Sequence, residues 1–297
     1  MFKLLSVYKY LFVFSGVILI AGVISLAVFG LRLGIDFKGG TVSELSFSEP
    51  RDINTVKTVV EEQNIGSFQL QSTDNNGVII RTGTLEKEQH DKLLEDIRTK
   101  VGAFEEKRFE SIGPVIGDEL KRKAIYQLLL VSAGIIIYIS YAFRKVAKPI
   151  TSFQFGVAAI VALLHDLLIV LGIFSILGHY YDIEIDSLFV TAMLTVLGFS
   201  VHDTIVVFDR IRENLKVYAG QPFEFVVNHS ITQTIVRSLN TSLTVLFVLL
   251  ALLLFGGETI KYFVLALFIG IIAGTYSSIF VASPLLVLWQ RWRSNRT

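Results

Sequence analysis

The chain has 297 residues, of which 52% are hydrophobic and only 18% charged, with a formal net charge of +1 and a mean hydropathy of +0.60. That is more apolar and less charged than an ordinary soluble domain, and the near-neutral balance gives no support for a nucleic-acid binder. It has no cysteine, which excludes disulfides, thiolate metal sites and cysteine nucleophiles.

Crossing a bilayer core of about 30 Å takes roughly 20 apolar residues in a helix. Six segments qualify, near Leu11–Phe29, Ala124–Phe143, Ile150–Leu177, Ile185–Phe208, Leu239–Phe255 and Ile260–Trp289. The first follows Lys3 and Lys9 but is not followed by an A-x-A-like cleavage site, so it reads as an uncleaved signal anchor.

The stretch from Leu31 to Lys123 is polar, with globular patterning. Thr41–Phe47 alternates like a strand. Asp52–Asn64 reads as a helix with Asp52 as its N-cap. Ser67–Ser72 and Val78–Thr82 flank Asn75, Asn76 and Gly77, a hairpin turn. Thr84–Val101 reads as a second helix with Glu88 and Lys92 placed to pair at i,i+4, and Phe104–Ser111 as a last strand. The order β-α-β-β-α-β points to a small ferredoxin-like α+β domain, and about 90 residues are enough for a modest core.

Orientation follows from lysine and arginine in short loops. Lys3 and Lys9, then Arg144, Lys145 and Lys148, then Arg210, Arg212 and Lys216, then Arg291, Arg293 and Arg296 all fall on one side of six crossings. The loop His179–Asp186, on the other side, has three acids and no lysine or arginine. Both termini are therefore expected in the cytoplasm, with 31–123 outside and 124–297 forming a five-helix membrane domain. The segment 209–238 is expected as a cytoplasmic helical loop, with Glu213 and Lys216 spaced to pair and Pro222 starting a short helix that ends near Arg237.

Ionisable groups inside apolar helices cost several kcal/mol near the bilayer centre, so they point to function. His165 and Asp166 lie well inside the third span. His202 and Asp203 lie in the fourth, with Asp203 on the order of 9 Å inside the cytoplasmic boundary at the rise of a helix. Arg237 opens the fifth, and Asn240, Thr241 and Thr244 continue from it as a polar stripe expected to face the bundle. Burial disfavours an ionised carboxylate and a nearby arginine favours it. An Asp203 whose distance to Arg237 changes would thus couple proton binding to helix movement. Asp166 reads as a second relay point or a structural partner, and His165 and His202 as relays or as packing donors. The bland alternative is a static Asp203–Arg237 ion pair locking two helices. In the sixth span Ala266, Gly270, Gly274, Ser278 and Ala282 form a small-residue seam for close helix contact, and Pro284 is expected to bend the helix end.

Three strings carry a family resemblance: GIDFKGG (Gly34–Gly40) after the first span, SIGPVIG (Ser111–Gly117) before the second, and HDTIVVFDRIREN (His202–Asn214) ending the fourth. With the six-span plan they closely resemble the SecF family of bacterial protein-export proteins, over nearly the whole chain. The resemblance implies a fold related to RND-type transporters, placement in the bacterial cytoplasmic (inner) membrane, a partner SecD that supplies a second six-helix half, and association with the SecYEG channel. It implies work on a translocating preprotein driven by the proton motive force, with no cofactor. The family's essential aspartate falls on Asp203 and its arginine on Arg237, with Asp166 as a third matching position. One departure is His202, where the family commonly has asparagine. Gly34, Asp36, Gly39, Gly40, Gly113, Pro114 and Gly117 read as shaping the two membrane–domain junctions.

Other functions remain to be weighed. A proton-coupled small-molecule exporter subunit of RND type shares the architecture. A metalloenzyme built on the two His-Asp pairs lacks an H-E-x-x-H motif, and the G-x-S-x-G elbow is also absent. A structural scaffold is the third alternative.

Overall fold

The computed structural model describes residues 8–73, 76–144 and 150–294. Lys3, Asn75, Lys145, Lys148, Arg296 and the side chain of Lys9 lie outside the described residues. Among those described, the elements run α1 (Tyr8–Phe29), α2 (Ile35–Lys38), β1 (Gly40–Phe47), α3 (Ile53–Glu62), β2 (Phe68–Thr73), β3 (Gly77–Thr82), α4 (Lys87–Lys100), β4 (Phe104–Ile112), α5 (Pro114–Ala142), α6 (Ser152–Tyr181), α7 (Ser187–Val217), α8 (Phe223–Phe255), α9 (Glu258–Ser277), a π-helical turn Ser278–Ala282, and α10 (Ser283–Ser294). The chain divides into two compact units, Leu33–Ile125 and the remainder.

The smaller unit is a four-stranded antiparallel sheet in the order β2-β3-β1-β4 with two helices packed on it, the arrangement expected of a β-α-β-β-α-β chain. Its core is Leu45, Val56, Val60, Ile80, Leu93 and Ile97, each at most 1% exposed. Asp52 caps α3 by accepting from the Asn54 amide at 3.0 Å. Glu86 and Gln89 cap α4 reciprocally. Glu88 and Lys92 make no ion pair among the described residues, and both are exposed.

The larger unit contains the membrane helices. Six helical segments among the described residues are long and apolar enough to cross a bilayer. The helices outrun the apolar runs, because helix propensity does not stop where hydrophobicity does. α5 starts at Pro114 rather than Ala124, since proline suits the first helical position and the charged turns that follow continue the helix.

The expected loop 209–238 is also corrected. α7 runs on to Val217, only 218–222 is a connection, and α8 is continuous from Phe223 through Arg237 to Phe255. Pro222 is the N-cap of one long helix rather than the start of a short one. The pairing there differs as well, with Glu213 taken by Arg210.

α1 and α6 run parallel in a fixed register. Ser15 meets His165, Ser25 meets Ser175 and Arg32 meets Asp182, each pair 150 residues apart. Gly22 and Gly172 cross between them so closely that a Cβ on Gly172 would lie 2.5 Å from the Gly22 Cα. The seam Ala266–Ala282 packs within this chain, where a Cβ on Gly270 would strike Val196 and one on Gly274 would strike Ser200.

The irregularity expected at Pro284 sits one turn upstream, in the π-turn. Proline lacks an amide and its ring crowds the carbonyl four residues back. Widening the preceding turn relieves that conflict, and the Ser283 hydroxyl donates to the Ser278 carbonyl at 3.0 Å.

Gly172→Ala should therefore lower the thermal unfolding temperature of the purified protein, a cost of about 1–3 kcal/mol from overpacking. Gly16→Ala, where an added Cβ meets nothing within 4 Å, should not. Thermal melts in detergent check both.

Candidate functional site

α6, α7 and α9 converge on two buried aspartates. Asp166 on α6 is 1% exposed and Asp203 on α7 is 6% exposed. Asp166 is held by three donors. His165 Nδ1 lies 2.9 Å from Oδ1, the Ser277 hydroxyl donates to Oδ2 at 2.8 Å, and the Ser200 hydroxyl donates to the same oxygen. Asp203 accepts one hydrogen bond among the described residues, from the Ser278 hydroxyl at 2.5 Å.

His165 extends the network to α1, its Nε2 lying 2.5 Å from the Ser15 hydroxyl. A ring that donates from Nδ1 to Asp166 and accepts at Nε2 from Ser15 satisfies both contacts. Tyr276 stacks on the imidazole at 6.2 Å and donates to the Leu11 carbonyl at 2.8 Å. Ser15, His165 and Asp166 follow the order of a hydrolase triad. Ser15 is only 3% exposed, however, and lies between packed helices, so the string can pass a hydrogen bond but offers no approach for a substrate carbonyl.

The structure separates the other expected members. His202 is exposed, turned away from the bundle because consecutive helical residues point about 100° apart. Arg237 is also exposed, as are Asn240, Thr241 and Thr244. The polar stripe expected to face the bundle thus lies on the outer surface of α8, whose inner face carries Ser230, Thr234, Ser238 and Ser242 instead. Among the described residues no ion pair joins Arg237 to Asp203. The two nevertheless share a level, Asp203 preceding the α7 end at Val217 by as many residues as Arg237 follows the α8 start at Phe223.

The junction strings meet within the smaller unit. Gly39 has φ +76°, and a Cβ there would lie 2.8 Å from the Pro114 Cα. A Cβ on Gly117 would lie 2.8 Å from the Gly39 nitrogen. Gly40 pairs with Ile112 at the β1–β4 end. Asp36 sits in the first turn of α2, which Gly34 caps with an ordinary φ of −76°, and an added Cβ on Gly113 would meet open space.

Residues 93–292 match the family described as "Protein export membrane protein SecD/SecF, C-terminal", and residues 24–50 match the "SecD/SecF GG Motif". The chain is 50% identical over 291 residues to the protein translocase subunit SecF of Thermobaculum terrenum, covering 94% of this chain and 91% of that protein. This chain belongs to the SecF family. A second SecF, from Anaerolinea thermophila, is 41% identical over 96% of this chain and 94% of its own length. The crystal structure of SecDF from Thermus thermophilus, described as a translocon-associated membrane protein, superposes with a TM-score of 0.86 at 33% identity. That match covers 98% of this chain but 39% of the SecDF chain, so this SecF-family chain spans about two fifths of it.

The serines were the illegible part of the site. Ser15, Ser200, Ser277 and Ser278 look neutral in a hydropathy profile, and only the two adjacent serines in the middle of a span offered a signal.

Asp166→Ala should leave His165 Nδ1 and Ser200 without their acceptor, each buried orphan costing about 1–3 kcal/mol. Asp203→Ala should cost less, because Ser278 can turn to the Thr275 carbonyl at 3.0 Å. Thermal unfolding of the two purified variants checks the order.

Proposed function

We propose that the chain works with SecD in a membrane complex that assists Sec-dependent protein translocation, drawing on the proton motive force through Asp203. The observation that carries this reading is a carboxyl group buried among apolar helices with, among the described residues, one hydroxyl partner and no cation against it. A buried acid of that kind can gain or lose a proton with little rearrangement.

Arg237 supplies the counterpart. An arginine on the outer face of a membrane helix is costly unless something covers it. A second helical half seated against α8 provides that cover, and the SecDF chain has more than half its length outside the matched region. A small rotation of α7 or α8 within the complex brings the guanidinium towards Asp203 and expels its proton. The reverse rotation lets the proton return. No covalent chemistry is required of the chain.

The positive loops support a reading in which both termini lie in the cytoplasm, and the family supports a bacterial inner membrane with 31–123 on its far side, where an exported preprotein leaves SecYEG. Lipid contacts the exposed faces of α1 and α5. The glycines at 39, 40 and 117 give the junction its tight path.

Asp203→Asn is expected to reduce proton-dependent translocation into SecYEG vesicles to the level seen without a proton gradient, with SecD assembly intact. Arg237→Met is expected to do the same. Full gradient-dependent translocation by Asp203→Asn would overturn the reading.

A further inference from the structure

Ser277 and Ser278 are consecutive, yet they reach carboxylates on two different helices. Ser277 Oγ lies 2.8 Å from Asp166 Oδ2 and 3.2 Å from the Gly274 carbonyl of its own helix. Ser278 Oγ lies 2.5 Å from Asp203 Oδ2 and 3.0 Å from the Thr275 carbonyl. They stand where α9 passes into the π-turn, and both are fully buried.

A hydroxyl carries one hydrogen and two lone pairs, so neither serine can donate to both of its neighbours at once. When the carboxylate is ionised, the serine hydrogen points to it. When the carboxyl holds a proton, its O–H donates to Oγ, and the serine hydrogen turns to the carbonyl three residues back. Every group has a partner in both states. A buried polar group left unpaired costs about 1–3 kcal/mol, and a charged one more, so a partner able only to donate, or only to accept, would penalise one of the two states.

We infer that Ser278 is the reversible hydrogen-bond partner that lets Asp203 take up and release a proton inside the bundle, with Ser277 serving Asp166 in the same way. The inference rests on the reading that Asp203 exchanges protons. The step is a proton equilibrium alone: a proton from the aqueous phase adds to the Asp203 carboxylate, and the Ser278 hydrogen swings from Oδ2 to the Thr275 oxygen without leaving Oγ. The other ionisable side chains on the packed elements include His165 on α6, Tyr276 on α9, and the exposed Arg237 and His202; the rest stand in turns nearer the helix ends, at 179–181 on α6, 209–216 on α7, Glu224 and His229 on α8, and Lys261 and Tyr262 on α9. Of these only His165 touches either carboxylate, at Asp166.

The test is infrared difference spectroscopy, across a pH titration, of the complex with SecD in lipid. The protonated Asp203 carbonyl band is assigned by its loss in Asp203→Asn. Ser278→Ala should shift that band to higher wavenumber and displace its pH midpoint, and Ser278→Thr should restore both. Ser278→Cys, with a weaker donor of similar size, should shift the band part-way and serves if the alanine variant does not assemble. An unchanged band and midpoint in both Ser278→Ala and Ser278→Cys overturns the inference while leaving proton exchange at Asp203 standing. Absence of any band sensitive to Asp203→Asn overturns the proposed function, and the inference with it.

Discussion

A carboxylate taken out of water costs several kcal/mol even after the protein relaxes around it, and an apolar helical bundle has little to offer in return. The packing of α6, α7 and α9 is organised around that constraint. Both acids point inward, and the side chains placed against them are hydroxyls and one imidazole, which add hydrogen bonds without adding fixed charge. A fixed cation in the same position would pin the acids in one state. Small hydroxyl partners keep the bundle close-packed.

The close packing is what brings the hydroxyls within reach. Gly270 and Gly274 let α9 approach α7 until Cβ atoms would collide with Val196 and Ser200, and this brings Ser277 and Ser278 against Asp166 and Asp203. The π-turn and the small-residue seam therefore act together, one setting the distance between helices and the other the direction of the serines. The Ser283 hydroxyl adds a hydrogen bond to the Ser278 carbonyl within that turn.

Much of this was legible from the sequence, for specific reasons. Apolar runs of about 20 residues mark membrane helices strongly, and Asp166 and Asp203 stood out because ionisable groups are rare in such runs. The β-α-β-β-α-β order was readable from alternation and from the caps at Asp52 and the turn before Gly77. Helix ends were not, because α5, α7 and α8 continue through charged and polar turns that hydropathy treats as loop. The facing of Arg237 was misjudged for a related reason. A polar stripe at helical spacing says that residues share a face but not which face, and the inner face of α8 turned out to be the one marked by Ser230, Thr234, Ser238 and Ser242. The partners of the acids were hidden because serine is unremarkable by composition, and its role appears only when three helices are brought together.

The parallel pairing of α1 with α6 has a consequence for biosynthesis. Two parallel helices cannot be joined by a short turn, so everything between them must be made before they can meet, and the fixed offset sets that distance at 150 residues. At a ribosomal rate of about 5–20 residues per second, the first helix waits roughly 8–30 s for its mate. Throughout that interval Ser15 and Ser25 have no hydroxyl or imidazole from α6 to bond. The nascent helix is thus a client for whatever insertion machinery shelters polar groups in the bilayer, and slowing synthesis between the two segments would lengthen its exposure.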